Sequence, residues 1–332
     1  MVAQVATASP TRYSLKIVSS RHIAGVPVTH VATADKYYHG RRFRIERRFV
    51  RLFTNFLQWY LEKNSHMAFE SRVNLTRYLV YLPSGMRAWR AYMPGGFATY
   101  HVHNPQRVHM QNGKKLDLIT RAFFRHTYDA VNVRSRAYIM DWLTCESLLS
   151  VQGPRCWVSL AGGSGQPVFD VFNELSPDVR KLVALTIVDR DKAMLHFAAQ
   201  VYKAHNLPIQ RVDYLPIDVM ESKELNQLLA QRRPQIVDAM GLFEYLSDAG
   251  CIRLLRTVYQ QLPRGGVFVY TNMWSKRPHL DVHQRALGWP GVAPRSIHDV
   301  LALMKEARIP LSAQAVYHDD DKVYCVYRVV KQ

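Results

Sequence analysis

The sequence predicts an α/β protein: a parallel sheet with helices on both faces, closed by an antiparallel terminal hairpin. Three observations carry this reading. From Cys156 onward, short β-branched runs alternate with helical stretches, which is the rhythm of a doubly wound parallel sheet. That rhythm breaks at the end, where "AQAVYHD" and "KVYCVYRVVK" follow one another across Asp319-Asp320-Asp321 and therefore read as a hairpin. The first strand runs into "AGGSGQP", placing glycines where such a sheet presents a ligand site.

In chain order, residues 13–33 carry β-branched residues around an Ala-Gly turn and predict a hairpin. From Tyr37 to Leu61 the period is helical, with Ile45, Phe49, Leu52, Phe53, Phe56, Leu57 and Tyr60 on one stripe. Arg41, Arg42, Arg44, Arg47, Arg48 and Arg51 crowd its first half. Like charges at that density do not favour an isolated helix, so they mark either a solvated face or a nearby anion. A second helix is predicted over Glu70–Leu82, stopped by Pro83. Turn signals at Pro94-Gly95-Gly96, Asn104-Pro105 and Asn112-Gly113 separate runs that read as short strands. Helical periodicity returns over 116–151. Strands "CWVSLAG", "VALTIVDR", "IQRVDYLPID", "QIVDAMGLFEYL" and "GGVFVYTNM" then alternate with helices, and the hairpin brings the predicted sheet to seven strands. The chain shows no internal repeat and no long Gly/Ser linker, so its parts are expected to pack together.

At 332 residues and 48% apolar content, the chain suits one large domain or a core domain with an extension. No apolar run reaches membrane-spanning length. The first twenty residues lack the basic start and long apolar block of a secretory signal. Cys145, Cys156, Cys251 and Cys325 are scattered without metal-ligand spacing. They read as reduced thiols of a cytoplasmic protein without a metal. The formal charge of +18 is uneven: residues 1–150 hold 22 Lys and Arg against 8 Asp and Glu, whereas 151–332 hold 22 against 18. A basic N-terminal region meets nucleic acid, an acidic partner or an anionic substrate, or is simply a well-solvated surface.

The glycine turn alone is weak evidence, because many such turns hold no ligand. Gly162, Gly163 and Gly165 allow a sharp bend and close approach of a ligand. The next strand delivers Asp189 beyond its carboxyl end, where a carboxylate can accept from both hydroxyls of a ribose. Capping the following helix is the alternative, and Asp191 fills that role equally well. The third and fourth strands end in Asp218 and Asp238. Three carboxylates on one sheet edge outweigh capping by chance. Pro167 removes a backbone donor that a phosphate site would use, so the expected ligand carries ribose and adenine without a pyrophosphate.

With these features, residues 130–332 resemble the class I S-adenosylmethionine-dependent methyltransferases. The resemblance implies a Rossmann-like seven-stranded sheet with an antiparallel terminal hairpin over 130–332, and a mixed α+β lid or substrate region over 1–129. It implies S-adenosylmethionine as cofactor. The methionine part would lie over Gly162, Gly163 and Gly165, the ribose at Asp189 with Arg190, and the adenine at Asp218 and Val219. Asp238, Met240 and Gly241 would line the methionine and substrate side. The long separation of Gly165 from Asp189, and Pro167 itself, depart from the family pattern.

Methyl transfer needs positioning and desolvation, and a base only where the nucleophile arrives protonated. Catalytic candidates are Tyr128, Asp238, Tyr270 and Asn272, with Glu244 and Tyr245 close by in sequence. Arg134, Arg136, Phe243 and Trp274 are lid or wall candidates. Ordinary packing accounts for each of these equally well. The expected function is a transferase, a small-molecule methyltransferase of biosynthesis. A second reading follows from the similarity of "GGSGQP" to the turn of nicotianamine-synthase-like enzymes: transfer of the aminocarboxypropyl arm, or its closure to azetidine-2-carboxylate, releasing methylthioadenosine. A third is nucleic-acid methylation or binding. It has the basic N-terminal half in its favour, but "DAMGLFEY" stands where a base-methylating motif would be. No membrane partner is expected, and the oligomeric state is not assigned.

Overall fold

A nine-stranded sheet organises the protein, whose computed structural model describes residues 14–35 and 40–332. The N-terminal part contributes strands β1 (Ile17–Ile23) and β2 (Val26–Val31), then helices α1 (Arg41–Lys63), α2 (Leu75–Val80), α3 (Ser84–Arg90), α4 (Gly96–His103) and α5 (Leu118–His126). The 23-residue α6 (Tyr128–Ser150) leads into β3 (Arg155–Leu160), α7 (Gln166–Glu174), α8 (Pro177–Arg180) and β4 (Val183–Val188). Then come α9 (Lys192–His205), β5 (Arg211–Leu215), α10 (Ser222–Arg232), β6 (Ile236–Ala239), α11 (Asp248–Gln261) and β7 (Val267–Met273). The chain ends with α12 (Ile297–Glu306), β8 (Gln314–His318) and β9 (Tyr324–Val330).

The five strands β5-β4-β3-β6-β7 are parallel, as the alternation predicts. β9 runs antiparallel between β7 and β8, so the terminal hairpin is inserted into the sheet. The expected count of seven needs correction. The N-terminal hairpin is not a separate piece: β2 pairs in parallel with β8, Val28 opposite Val316, and β1 pairs with β2. Val26, Val28 and Val31 are buried there, so the hairpin covers a strand edge that would otherwise lie open. Tyr13 and the expected helix start at Tyr37 lie outside the described residues.

Three local expectations also change. Over 70–82 the helix is only α2. Asn74 caps it, its side chain accepting from Thr76 N, and Pro83 opens α3 instead of merely closing a helix. The runs near 94–113 are not strands: Gly96–His103 is α4, and the extended pairing there is a single bridge, His109 to Lys115. Most of α4 is buried around its circumference, so no helical period shows in its sequence. In α1, packing uses the face of Phe43, Thr54, Leu57 and Leu61. Phe49 and Leu52 of the expected apolar stripe are instead 68% and 64% exposed.

The anion near the α1 arginines is the β8–β9 turn. Asp321 accepts from Arg47, from Arg51 Nη2 at 2.5 Å and from Asn132 Nδ2 at 3.1 Å. Asp320 Oδ1 meets His30 Nε2 at 2.8 Å. One turn thereby fastens α1, α6 and β2 together, and part of the basic surplus is spent inside the protein. Among the described residues, no helix is long and apolar enough to cross a membrane.

Candidate active site

The site begins where β3 turns into α7. Gly162 N donates to Val188 O at 3.0 Å and Gly165 N to Gly162 O at 2.9 Å. Gly165, at φ +66°, is the N-cap of α7, and a Cβ there would stand 2.7 Å from Phe169 and 2.9 Å from Ile187. A Cβ on Gly162 would stand 2.9 Å from Ile187. These two glycines are fixed by packing. Gly163, at φ +55°, instead faces the N-terminal cover, 3.8 Å from Gly96 Cα when measured from its Cβ position. Pro167 falls in the first turn of α7, where a missing N–H breaks no helical bond.

Asp189 follows β4 directly. Its Oδ2 accepts from Gly163 N and its Oδ1 from Asp191 N, both at 2.9 Å. Burial raises its carboxyl above the ordinary value against those two bonds. The capping alternative is resolved: Asp191 caps α9 through Ala193 N and Met194 N. Asp189 thus tethers the glycine loop and, with each oxygen bonded once, keeps acceptor capacity.

Asp238 sits inside β6, fully buried, accepting from Trp157 Nε1 at 2.6 Å and Ser159 Oγ at 3.0 Å. Burial pushes its carboxyl up to about 7, outweighing both bonds. A carboxyl raised on folding makes the folded state hold its proton longer. Stability is therefore lost as pH rises from the unfolded value towards 7, a swing of about 4 kcal/mol for a shift of this size. Asp238→Asn keeps an acceptor for Trp157, and Ser159 can accept from its amide. Its thermal midpoint, measured from pH 4 to 8, should lack this decline; a wild-type-like decline would contradict the assignment.

These residues open on one cavity of about 470 Å³, within the range of small-ligand sites. The sheet edge supplies Gly162, Gly163, Asp189, Arg190, Asp238, Met240 and Gly241. Aromatic rings of Trp89, Phe123, Phe124, Tyr245 and Trp289 form much of the opposite wall. The polar end beyond β6 contains His103, Asp129, Arg136, Glu244, His283 and Tyr324. Arg277 Nη2 lies 2.8 Å and His283 Nδ1 3.3 Å from Asp129 Oδ1. Burial opposes ionisation of Asp129, but these two partners prevail and hold its carboxyl well below the usual range. Burial, helped by Arg136 and Arg134, lowers His103 to about 3, and burial also lowers His283 despite Asp129.

The other residues singled out in the sequence lie elsewhere. Gly165 is in the packed turn. Asp218, 39% exposed, accepts from Met220 N and lies 4.0 Å from Arg190; Val219 is buried in the core. Tyr128 packs edge-on against His279 beneath the Arg51 guanidinium. Tyr270 stacks on Tyr327 and packs against Phe243 in the core. Trp274 lies in the same core against His318. Asn272 donates to Met273 O and accepts from Arg295. Arg134 donates to Asp35 and to three backbone carbonyls. None of these lines the cavity. Sequence reasoning missed His103, Asp129 and His283. They come from α4, the first turn of α6 and the turn at Val282–Ala286, and only tertiary packing unites them.

No protein-family model matches the chain, and no curated protein matches it. Solved structures do. A possible exported protein from Bordetella parapertussis aligns at 17% identity with a TM-score of 0.58, over 74% of this chain and 86% of that one. The CurJ carbon methyltransferase aligns at 13% identity with a TM-score of 0.53, over 85% and 80% of the two chains. At these identities the likeness is one of fold. Together with the sheet order and the inserted antiparallel strand, it gives the chain the fold of the class I S-adenosylmethionine-dependent methyltransferases.

Proposed function

We propose that the protein is an S-adenosylmethionine-dependent methyltransferase acting on a small molecule, with the cofactor held over 130–332 and the N-terminal region as its cover. The observation that carries this is Asp189: a cavity-lining carboxylate at the end of β4, relieved of helix capping by Asp191. It suits the two hydroxyls of a ribose. The glycine loop suits the phosphate-free middle of the ligand, and Pro167 leaves α7 one donor short for a phosphate.

When bound, the cofactor's sulfonium supplies an activated methyl group. The chain's own work is then positioning and exclusion of water. The aromatic wall and the buried floor at Asp238 enclose the reacting region. An acceptor arriving protonated would meet the neutral rings of His103 and His283, which can accept a hydrogen bond from it, while burial makes both weak bases. The cavity's volume of about 470 Å³ supports a small acceptor over a nucleic acid.

The test is incubation with S-adenosylmethionine, alone and with candidate acceptors, followed by mass spectrometry. S-adenosylhomocysteine formed only with an acceptor is the expected result. Methylthioadenosine formed from S-adenosylmethionine alone would replace this reading with aminocarboxypropyl chemistry.

A further inference from the structure

Arg136 and Glu244 face each other inside the cavity, Nη1 to Oε1 at 3.2 Å, with side chains 7% and 2% exposed. Neither is satisfied by the other. Glu244 Oε2 and Arg136 Nε are buried without a hydrogen-bond partner. Arg136 lies over the Tyr324 ring, 4.0 Å from its centroid, and its Nη2 fills the space left by the missing Cβ of Gly241, 2.9 Å from that position. Buried polar groups are nearly always paired, because leaving one unpaired costs the whole of its lost hydration. Unpaired arms on both members of a buried ion pair, at the wall of a cavity, mark a place where a ligand completes the bonding.

The pattern selects the ligand. One cationic and one anionic point stand side by side. A lone carboxylic acid or a lone amine would match one and leave the other uncompensated. A zwitterion matches both, with its carboxylate on the guanidinium and its ammonium on the carboxylate. We propose that Arg136 and Glu244 receive the α-amino-acid group of the acceptor substrate. This rests on the function proposed above.

Strand order favours the acceptor over the cofactor's methionyl end, and the calorimetry below separates the two. Asp189 follows β4, whereas Arg136 leans on Gly241 after β6 and on Tyr324 at the start of β9. In the order β4-β3-β6-β7-β9, these lie two and four strands away, roughly 10 and 19 Å. The pair thus occupies the end of the cavity remote from the ribose site, where Tyr245 and Trp289 close the wall through a 2.6 Å hydrogen bond.

The experiment compares wild type, Glu244→Gln and Arg136→Lys. Glu244→Gln is isosteric and keeps an acceptor for Arg136; Arg136→Lys keeps the positive charge, so a fold defect in one leaves the other usable. Calorimetry with S-adenosylhomocysteine and with methylthioadenosine, which lacks the amino-acid arm, reads the cofactor side. Thermal shift with the proteinogenic L-amino acids, and with their deaminated and decarboxylated counterparts, reads the acceptor side. The expected result is unchanged S-adenosylhomocysteine affinity, together with an amino acid that stabilises wild type and binds at least tenfold more weakly to either variant, its truncated counterparts being inert. A tenfold loss for S-adenosylhomocysteine alone, with methylthioadenosine unaffected, would give the pair to the cofactor and overturn the proposal. So would the absence of any amino-acid effect, or one the variants leave intact. If neither nucleoside binds wild type, the proposed function fails, while the amino-acid arm still decides this inference.

Discussion

Asp189→Ala should weaken S-adenosylhomocysteine binding by at least a hundredfold. Hydrogen bonds to a charged group contribute about 1.5–3 kcal/mol each. Two ribose hydroxyls on one carboxylate therefore exceed the 2.7 kcal/mol or so that a hundredfold change in affinity represents. The same substitution unties Gly163 N, so the loop beneath the ligand loosens as well. Methylthioadenosine carries the same ribose and should lose as much. That separates Asp189 from Glu244, where the two nucleosides are compared for the opposite reason. Asp191→Ala is the matched control. It removes the α9 cap, at a cost of about 1 kcal/mol in stability, and should leave affinity within a few-fold of wild type. Calorimetry on the three proteins decides it: wild-type affinity in Asp189→Ala would remove the cofactor assignment.

What made Asp189 legible was its position. It is the first residue past a clean β-branched strand, so the strand's end fixed where its side chain stands. Asp238 was readable as a strand carboxylate, but it lies within β6 and not beyond its end. Asp218 has the same motif appearance, but β5 stops at Leu215. Pro216 and Ile217 intervene, and the carboxylate turns to cap Met220 N. The terminal hairpin was readable because both strands and their acidic turn are contiguous. That turn's use as an anchor for Arg47 and Arg51 was not, because it joins residues far apart in sequence. The attachment of β2 to β8 was hidden in the same way: a strand pattern states that a strand exists and leaves its neighbour open. The polar end of the cavity was least readable. Its members come from segments packed against one another across the sheet edge, and a histidine or aspartate in a short buried helix has no periodic signature.

Arg134 and Arg136 show what the sequence leaves undecided. They stand two residues apart in one arginine-bearing run, and i,i+2 positions on a helix do not share a face. One therefore had to point away from wherever the other points. Arg136 turns to the cavity. Arg134 turns into the cover, its guanidinium bonded to Asp35 Oδ2 at 2.8 and 2.9 Å and to the carbonyls of Val102, Phe124 and Arg125. Both side chains of the Arg134–Asp35 pair are nearly excluded from solvent. Arg134→Ala would take the guanidinium away from a buried carboxylate and three carbonyls at the junction of α4, α5 and α6. Breaking such a pair costs about 3–5 kcal/mol, which corresponds to a thermal midpoint lowered by roughly 4–7 °C in a chain of this size. Arg134→Lys should recover only part of that loss, because an ammonium cannot reproduce the planar fork. Well below the lowered midpoint, S-adenosylhomocysteine affinity per folded molecule should match wild type, since Arg134 does not line the cavity. A variant that melts like wild type but loses ligand would reverse the two arginines' roles; one that melts early and still binds would confirm that the cover is held by one residue and the cavity charged by the other.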